Sequence, residues 1–170
     1  MIRGLALALA ALAVAVLAGT AQGGDGLVRR QSHVAPFSVL VPASWRYHNA
    51  TYPSDHSSED WTDPANRRRR LHVEMSACVG CVELPSCVLH QTGCRPAPEL
   101  IVPEHALSKR KIDRWRMTFV ARTSGSPYLT RGLVAVTHHG SEIEGFALVE
   151  VWLPNARRPL ADTILASFRT

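Results

Sequence analysis

Residues 129–154, LTRGLVAVTHHGSEIEGFALVEVWLP, decide the fold. Leu129 to His138 reads as one strand, His139-Gly140-Ser141 as a turn, and Phe146 to Leu153 as a second strand. In the second strand Phe146, Leu148 and Trp152 share one face, and Ala147, Val149 and Val151 share the other. Apolar residues on both faces predict a sheet covered on both sides. Glu150 breaks the pattern and is either a rim residue or a paired, buried carboxylate. His138 and His139 are neighbours on a strand and point to opposite faces, so they cannot easily share one metal ion.

The pattern extends in both directions. Upstream, Trp115, Met117, Phe119 and Ala121 alternate with Arg116, Thr118, Val120 and Arg122, and the turn Ser124-Gly125-Ser126-Pro127 leads into Leu129. Downstream, Pro154 stops the sheet, Pro159 suits the first turn of a helix, and Leu160, Ile164, Leu165 and Phe168 recur at helical spacing. Two further strands are predicted nearer the start: Phe37–Val41, ended by Pro42 with Trp45 capping the core, and Leu71–Ala77, with Leu71, Val73, Met75 and Ala77 on one face. Residues 99–102 predict a short strand, residues 103–107 a helical turn, and the charged residues 108–114 an exposed connection. The class implied is α+β: a mainly antiparallel sheet covered by helices on one or both faces, an α/β/α sandwich.

Between Tyr47 and Asn66 no period is visible, and the sequence reads as a long loop. It holds the densest group of polar candidates in the chain. His48, Asp55, His56, Asp60 and Trp61, together with Glu59 and Asp63, form either a ligand or ion site or simply a solvated loop. The arginine run Arg67–Arg70 is the only dense basic patch, read as a solvated loop entering the next strand or as a polyanion contact. Asn49-Ala50-Thr51 is a formal glycosylation sequon.

All four cysteines lie in one stretch, Cys78, Cys81, Cys87 and Cys94, and their chemistry depends on compartment. Residues 2–21 carry one positive charge at Arg3, then an unbroken Leu/Ala/Val run, then small residues, which is the pattern of a secretory signal cleaved after Ala21. An uncleaved anchor is the alternative, but the run is short for a span of about 20 residues and has no basic stop-transfer flank. Thr20 stands where a lipid-bearing cysteine would be needed, and one arginine does not support twin-arginine export. In an oxidising compartment the four thiols read as two disulfides stapling a loop insertion. The nested pairing, Cys78 with Cys94 around Cys81 with Cys87, is preferred among the three possible because a Cys78–Cys81 bridge is tight. Two alternatives stay open. One is a metal site using the thiolates with His72 or His90, although C-x2-C-x5-C-x6-C is not the spacing of separated zinc knuckles. The other is thiol–disulfide exchange at Cys78-Val79-Gly80-Cys81, where Pro85 interrupts the helix that would activate the thiol.

The chain has 170 residues, with 19 Lys+Arg against 14 Asp+Glu, a formal charge of +5. Loss of residues 1–21 removes Arg3 alone and leaves +4. The organisation expected is a signal peptide at 1–21, a flexible leader at 22–32 and one domain at 33–170. Export makes nucleic acid an improbable partner, and anionic lipid or cell-wall polymer remains a candidate. The sequence carries no nucleotide loop, serine elbow or internal repeat, so no catalytic residue, cofactor or metal is assigned.

Two stretches together resemble PsbP-like domains. FSVLVPASWR, residues 37–46, is similar to the first strand and turn of that group, and DTILASFR, residues 162–169, to its C-terminal helix closing with Ser-Phe, here Ser167-Phe168. The group includes extrinsic subunits of photosystem II and small exported proteins or lipoproteins of bacteria. The resemblance implies an antiparallel sheet between helical layers, serving as a non-catalytic binding or scaffolding module for a protein or envelope component. The cysteine insertion and the unresolved layer between Tyr47 and Arg70 depart from the pattern.

Overall fold

The computed structural model describes residues 26–33, 36–50, 56–76, 97–124, 126–139 and 142–170, with backbone alone at 49, 50, 56, 139 and 142–144. Among these residues nine strands and one α-helix follow in chain order: β1 (Leu27–Gln31), β2 (Ser38–Pro42), β3 (Arg46–Ala50), β4 (His56–Asp63), β5 (Asn66–Ser76), β6 (Ser108–Lys111), β7 (Arg116–Arg122), β8 (Leu129–His139), β9 (Glu142–Trp152) and α1 (Arg158–Ala166). Seven of the strands make one sheet in the order β3-β4-β5-β9-β8-β7-β6, while β1 and β2 form a separate hairpin. Every pairing is antiparallel. The large sheet is two meanders, β3-β4-β5 and β6-β7-β8-β9, joined side by side where β5 pairs with β9.

The main core lies between one face of this sheet and a layer made of α1 and the β1-β2 hairpin. The sheet presents Trp61, Leu71, Val73, Leu133, Ala135, Ala147, Val149 and Val151 inward, and the layer answers with Val39, Val41, Ala161, Ile164, Leu165 and Phe168. Each fully buried side chain of this size stabilises the fold by about 1.5–3 kcal/mol relative to exposure. The two stretches that carry the family resemblance pack on each other here. Phe37 and Phe168 stack at 5.1 Å. Ser167 accepts the Leu40 N–H at 2.8 Å through its hydroxyl, and Ser38 and Arg169 exchange backbone hydrogen bonds of 2.8 and 2.9 Å. Trp45 is buried, as its capping role requires.

The opposite face is divided. Over β7 and β8 it is apolar, with Met117, Phe119, Ala121 and Val134 covered by Val102, Ile101 and Ala106. Gly132 lies in this region because a Cβ there would come within 2.0 Å of the Phe119 ring. Phe119 can lie flat across β8 only where the paired residue has no side chain.

The antiparallel sheet and the closing helix match expectation. The helical layers do not: among the described residues α1 is the single α-helix, and the β1-β2 hairpin completes its layer, so the architecture is sheet-dominated and not a sandwich between helices. Tyr47–Asn66 is not a loop through its length. It contains β3 and β4, whose alternation escapes a hydrophobic reading because inward positions carry Ser57 and Glu59 while His48, Asp60 and Thr62 fill the outer face. Part of the expected leader, Leu27–Gln31, is β1, held by its register with β2. The expected strand at residues 99–102 is a 3-10 turn at Pro98–Leu100, begun by proline. The connection at residues 108–114 contains the edge strand β6, which has no buried face and therefore no alternation to read. Residues 1–25 and the cysteines at 78–94 lie outside the described residues, and with them the signal, anchor, disulfide, thiolate-metal and thiol-exchange readings.

Gly132→Ala is expected to destabilise the domain by about 1–3 kcal/mol through overpacking against Phe119. Combined with Phe119→Leu, the loss should be smaller than the sum of the two single losses, measured by denaturant unfolding of all four proteins.

Candidate functional site

The polar half of the outer face is built by strand pairing. His48 on β3 sits opposite Asp60 on β4, Asp60 opposite His72 on β5, and His72 opposite Glu150 on β9. The next residue in this row is Gly132, followed by Phe119, and there the polar half ends. Four ionisable side chains therefore stand in one line across four strands. His72 Nδ1 is 3.0 Å from Asp60 Oδ1, and His48 Nε2 is 3.0 Å from Thr62 Oγ1. Burial pushes the Glu150 carboxyl above its usual range, and nearby Glu74 adds to this, while the charges of His72, Arg70 and His105 pull against it. Beside the row Arg70 lies flat on Trp152, 3.2 Å from the ring centroid.

The candidates at residues 48–61 are thus sorted by strand parity. His48 and Asp60 share the outer face. Trp61 points the other way, 2% exposed, packed against Tyr47 at 5.6 Å in the core. Its role is structural. His56 opens β4 and its side chain lies outside what is described, as does all of Asp55. Glu59 is also inward and fully buried, accepting the Ser32 hydroxyl and, at 3.2 Å, the His33 N–H. Burial, then the Glu59 charge, pushes the Tyr47 hydroxyl up. Asp63 closes the β4-β5 turn, taking the Ala65 N–H at 2.9 Å and Arg69 at 3.2 Å. Among the described residues no group of three or more His, Cys, Asp or Glu could hold a metal ion. The arginine run belongs to β5, with Arg67 and Arg68 exposed.

The second feature lies on the helix side of the sheet. A groove of about 490 Å³ runs between α1 and strands β6 to β8, lined by Lys109, Arg110, Arg116, Arg131 and Arg158, with Asp162 as the acid. Arg131 and Arg158 both reach Asp162, at 3.7 and 3.4 Å, and Arg116 turns to Asp113 at 2.8 Å. Burial opposes ionisation of Asp113, but Arg116 and the Trp115 N–H hold its carboxyl below the usual range. Two acids cannot neutralise the four arginines Arg110, Arg116, Arg131 and Arg158, so the groove is positive. Leu133 and Leu165 form its apolar floor. Sequence reading missed it because its residues come from three strands and a helix, more than fifty positions apart, and the charged run at 108–114 supplies only part of the lining. Arginine positioned in this way favours bidentate binding of carboxylate or phosphate.

Glu150→Gln tests the outer row. A carboxyl that holds its proton more tightly when folded supports stability at low pH, and that support is lost as pH rises through the folded pKa. The variant should therefore melt at or near the native temperature at about pH 4 and above it at about pH 7, followed by circular dichroism across that range.

No protein-family model matches the chain, and no curated protein matches it. Among solved structures, cyanobacterial PsbP (CyanoP) from Synechocystis superposes with a TM-score of 0.53 at 16% identity, over 88% of this chain and 95% of that one. The Ran-binding protein Mog1p of Saccharomyces cerevisiae superposes with a TM-score of 0.40 at 9% identity, over 85% and 95%. An antiparallel sheet closed on one side by a C-terminal helix, shared over nearly the whole of both chains with CyanoP, gives this chain a PsbP-like fold.

Proposed function

We propose that this chain is an exported, non-catalytic binding or scaffolding domain acting at the cell envelope or outside it, and that it meets an anionic partner surface through the groove between α1 and β6–β8. The observation that carries this reading is the charge imbalance of the groove, four arginines against Asp162 on the lining and Asp113 beside it. The PsbP-like fold supports a binding role by analogy of architecture. The leader-like residues 2–21 and the four clustered cysteines support export and paired sulfurs.

Poly-L-glutamate is a suitable first probe. Binding is expected to weaken as salt rises from low to physiological strength, since exposed charges are screened over about 8–10 Å. Arg110→Ala and Arg158→Ala, both at exposed positions, should each weaken it roughly two- to tenfold without shifting the melting midpoint. Unchanged affinity in both variants overturns the groove as the contact surface. Export is tested separately by the intact mass of the native protein. Loss of residues 1–21 and alkylation of four thiols only after reduction are expected, whereas a full-length chain with four reactive thiols contradicts it.

A further inference from the structure

The outermost strand beside the groove is β6, the edge of the seven-stranded sheet among the described strands. All four of its residues, Ser108-Lys109-Arg110-Lys111, are exposed. Its phase follows from the pairing with β7. Ile112 donates its N–H to Arg116 O at 3.0 Å, and hydrogen-bonded pairs alternate along an antiparallel ladder, so Arg110–Thr118 and Ser108–Val120 are the bonded pairs. Lys109 and Lys111 therefore turn their backbone N–H and C=O groups away from the sheet. Leu107 and Ile112 bracket the strand and are 58% and 49% exposed.

Lysine on an edge strand normally guards against pairing. The guard is selective by sign, however. A second copy of this strand laid antiparallel on the first would set Lys and Arg against Lys and Arg, which is destabilising, and a neutral strand gains nothing from the charges. An acidic strand is attracted by the same residues. We propose that β6 is a docking edge to which an acidic, extended segment of a partner protein adds as a further strand. Backbone hydrogen bonds to Lys109 and Lys111 hold it, its carboxylates on one face meet the side chains of Lys109 and Lys111 or, on the other, those of Arg110 and Arg116, and apolar residues at its ends cover Leu107 and Ile112. This rests on the reading of the groove as the contact surface. A free phosphate or lipid headgroup would satisfy the arginines, but it would use neither the outward backbone groups nor the two exposed apolar side chains.

The test uses the whole protein with two blocked peptides, one alternating Glu and Val and one alternating Lys and Val, with poly-L-glutamate and inorganic phosphate as further arms. Proline is tolerated on an edge strand where its nitrogen faces solvent, so Lys109→Pro deletes the outward donor while retaining the sheet, and Lys109→Ala removes the charge alone. The Glu-Val peptide is expected to bind and the Lys-Val peptide not to. Lys109→Ala should weaken binding roughly two- to fivefold and Lys109→Pro tenfold or more. In the native protein the amides of Lys109 and Lys111 should exchange hydrogen more slowly with the Glu-Val peptide present, a result that does not depend on either variant folding. Equal binding of Glu-Val peptide to Lys109→Ala and Lys109→Pro, with unchanged exchange, overturns strand addition and leaves the groove a charge-only site. Binding of phosphate without peptide overturns it in the same way. Failure of every anionic probe overturns both readings.

Discussion

The pairing of β5 with β9 is the constraint on which the rest of the molecule depends. It joins residues far apart in sequence, Arg70 with Trp152 through Ser76 with Phe146, and makes two meanders one sheet. Because side chains alternate with a period of two, its register also decides which chemistry faces which way. In the observed register Leu71, Val73, Ala147, Val149 and Val151 face α1, while Arg70, His72, Glu150 and Trp152 face outward. A shift of one residue would drive the ionisable row into the core and leave the valines in water. The burial of those apolar residues is therefore what holds the polar row in line.

Legibility followed the hydrophobic pattern and failed where that pattern was absent. The strands β7 to β9 and the helix α1 are readable because both their faces, or one stripe, are apolar, and Pro154 and Pro159 mark the transition. The two family-like stretches proved to be a packed pair, joined through Phe37, Phe168 and Ser167, which explains why short motifs at the two ends of the domain can signal one fold. The strands β3 and β4 were hidden because Ser57 and Glu59 occupy inward positions where alternation would show leucine or valine. In β6 the signal was missing altogether, for a fully exposed edge selects charge and not period. Apolar residues on a second face suggest a helical layer, whereas residues 101–106 cover part of that face with little regular structure.

The two faces divide the charge. Cations gather on the helix side around Arg110, Arg131 and Arg158, and the carboxylate–imidazole row lies on the reverse, across β3, β4, β5 and β9. A net charge of +5 conceals this separation, since it sums over both faces. The separation is a product of topology: the row runs across β3, β4, β5 and β9 on one face, while the groove draws on the β6–β8 margin on the other, so the two sets of charges do not neutralise one another.

The reciprocal tie between Ser38 and Arg169, with Ser167 set on Leu40, has a consequence for the order in which the polypeptide matures. Ribosomes deliver the segment around Ser38 long before the segment around Arg169. Until the latter emerges, the valines of the early hairpin and the broad apolar side of the sheet lack their cover, and a nascent chain of that length is a sticky, unfinished intermediate. Completion of the native core is therefore a late event, and the period before it is when a chaperone would find the chain unfolded.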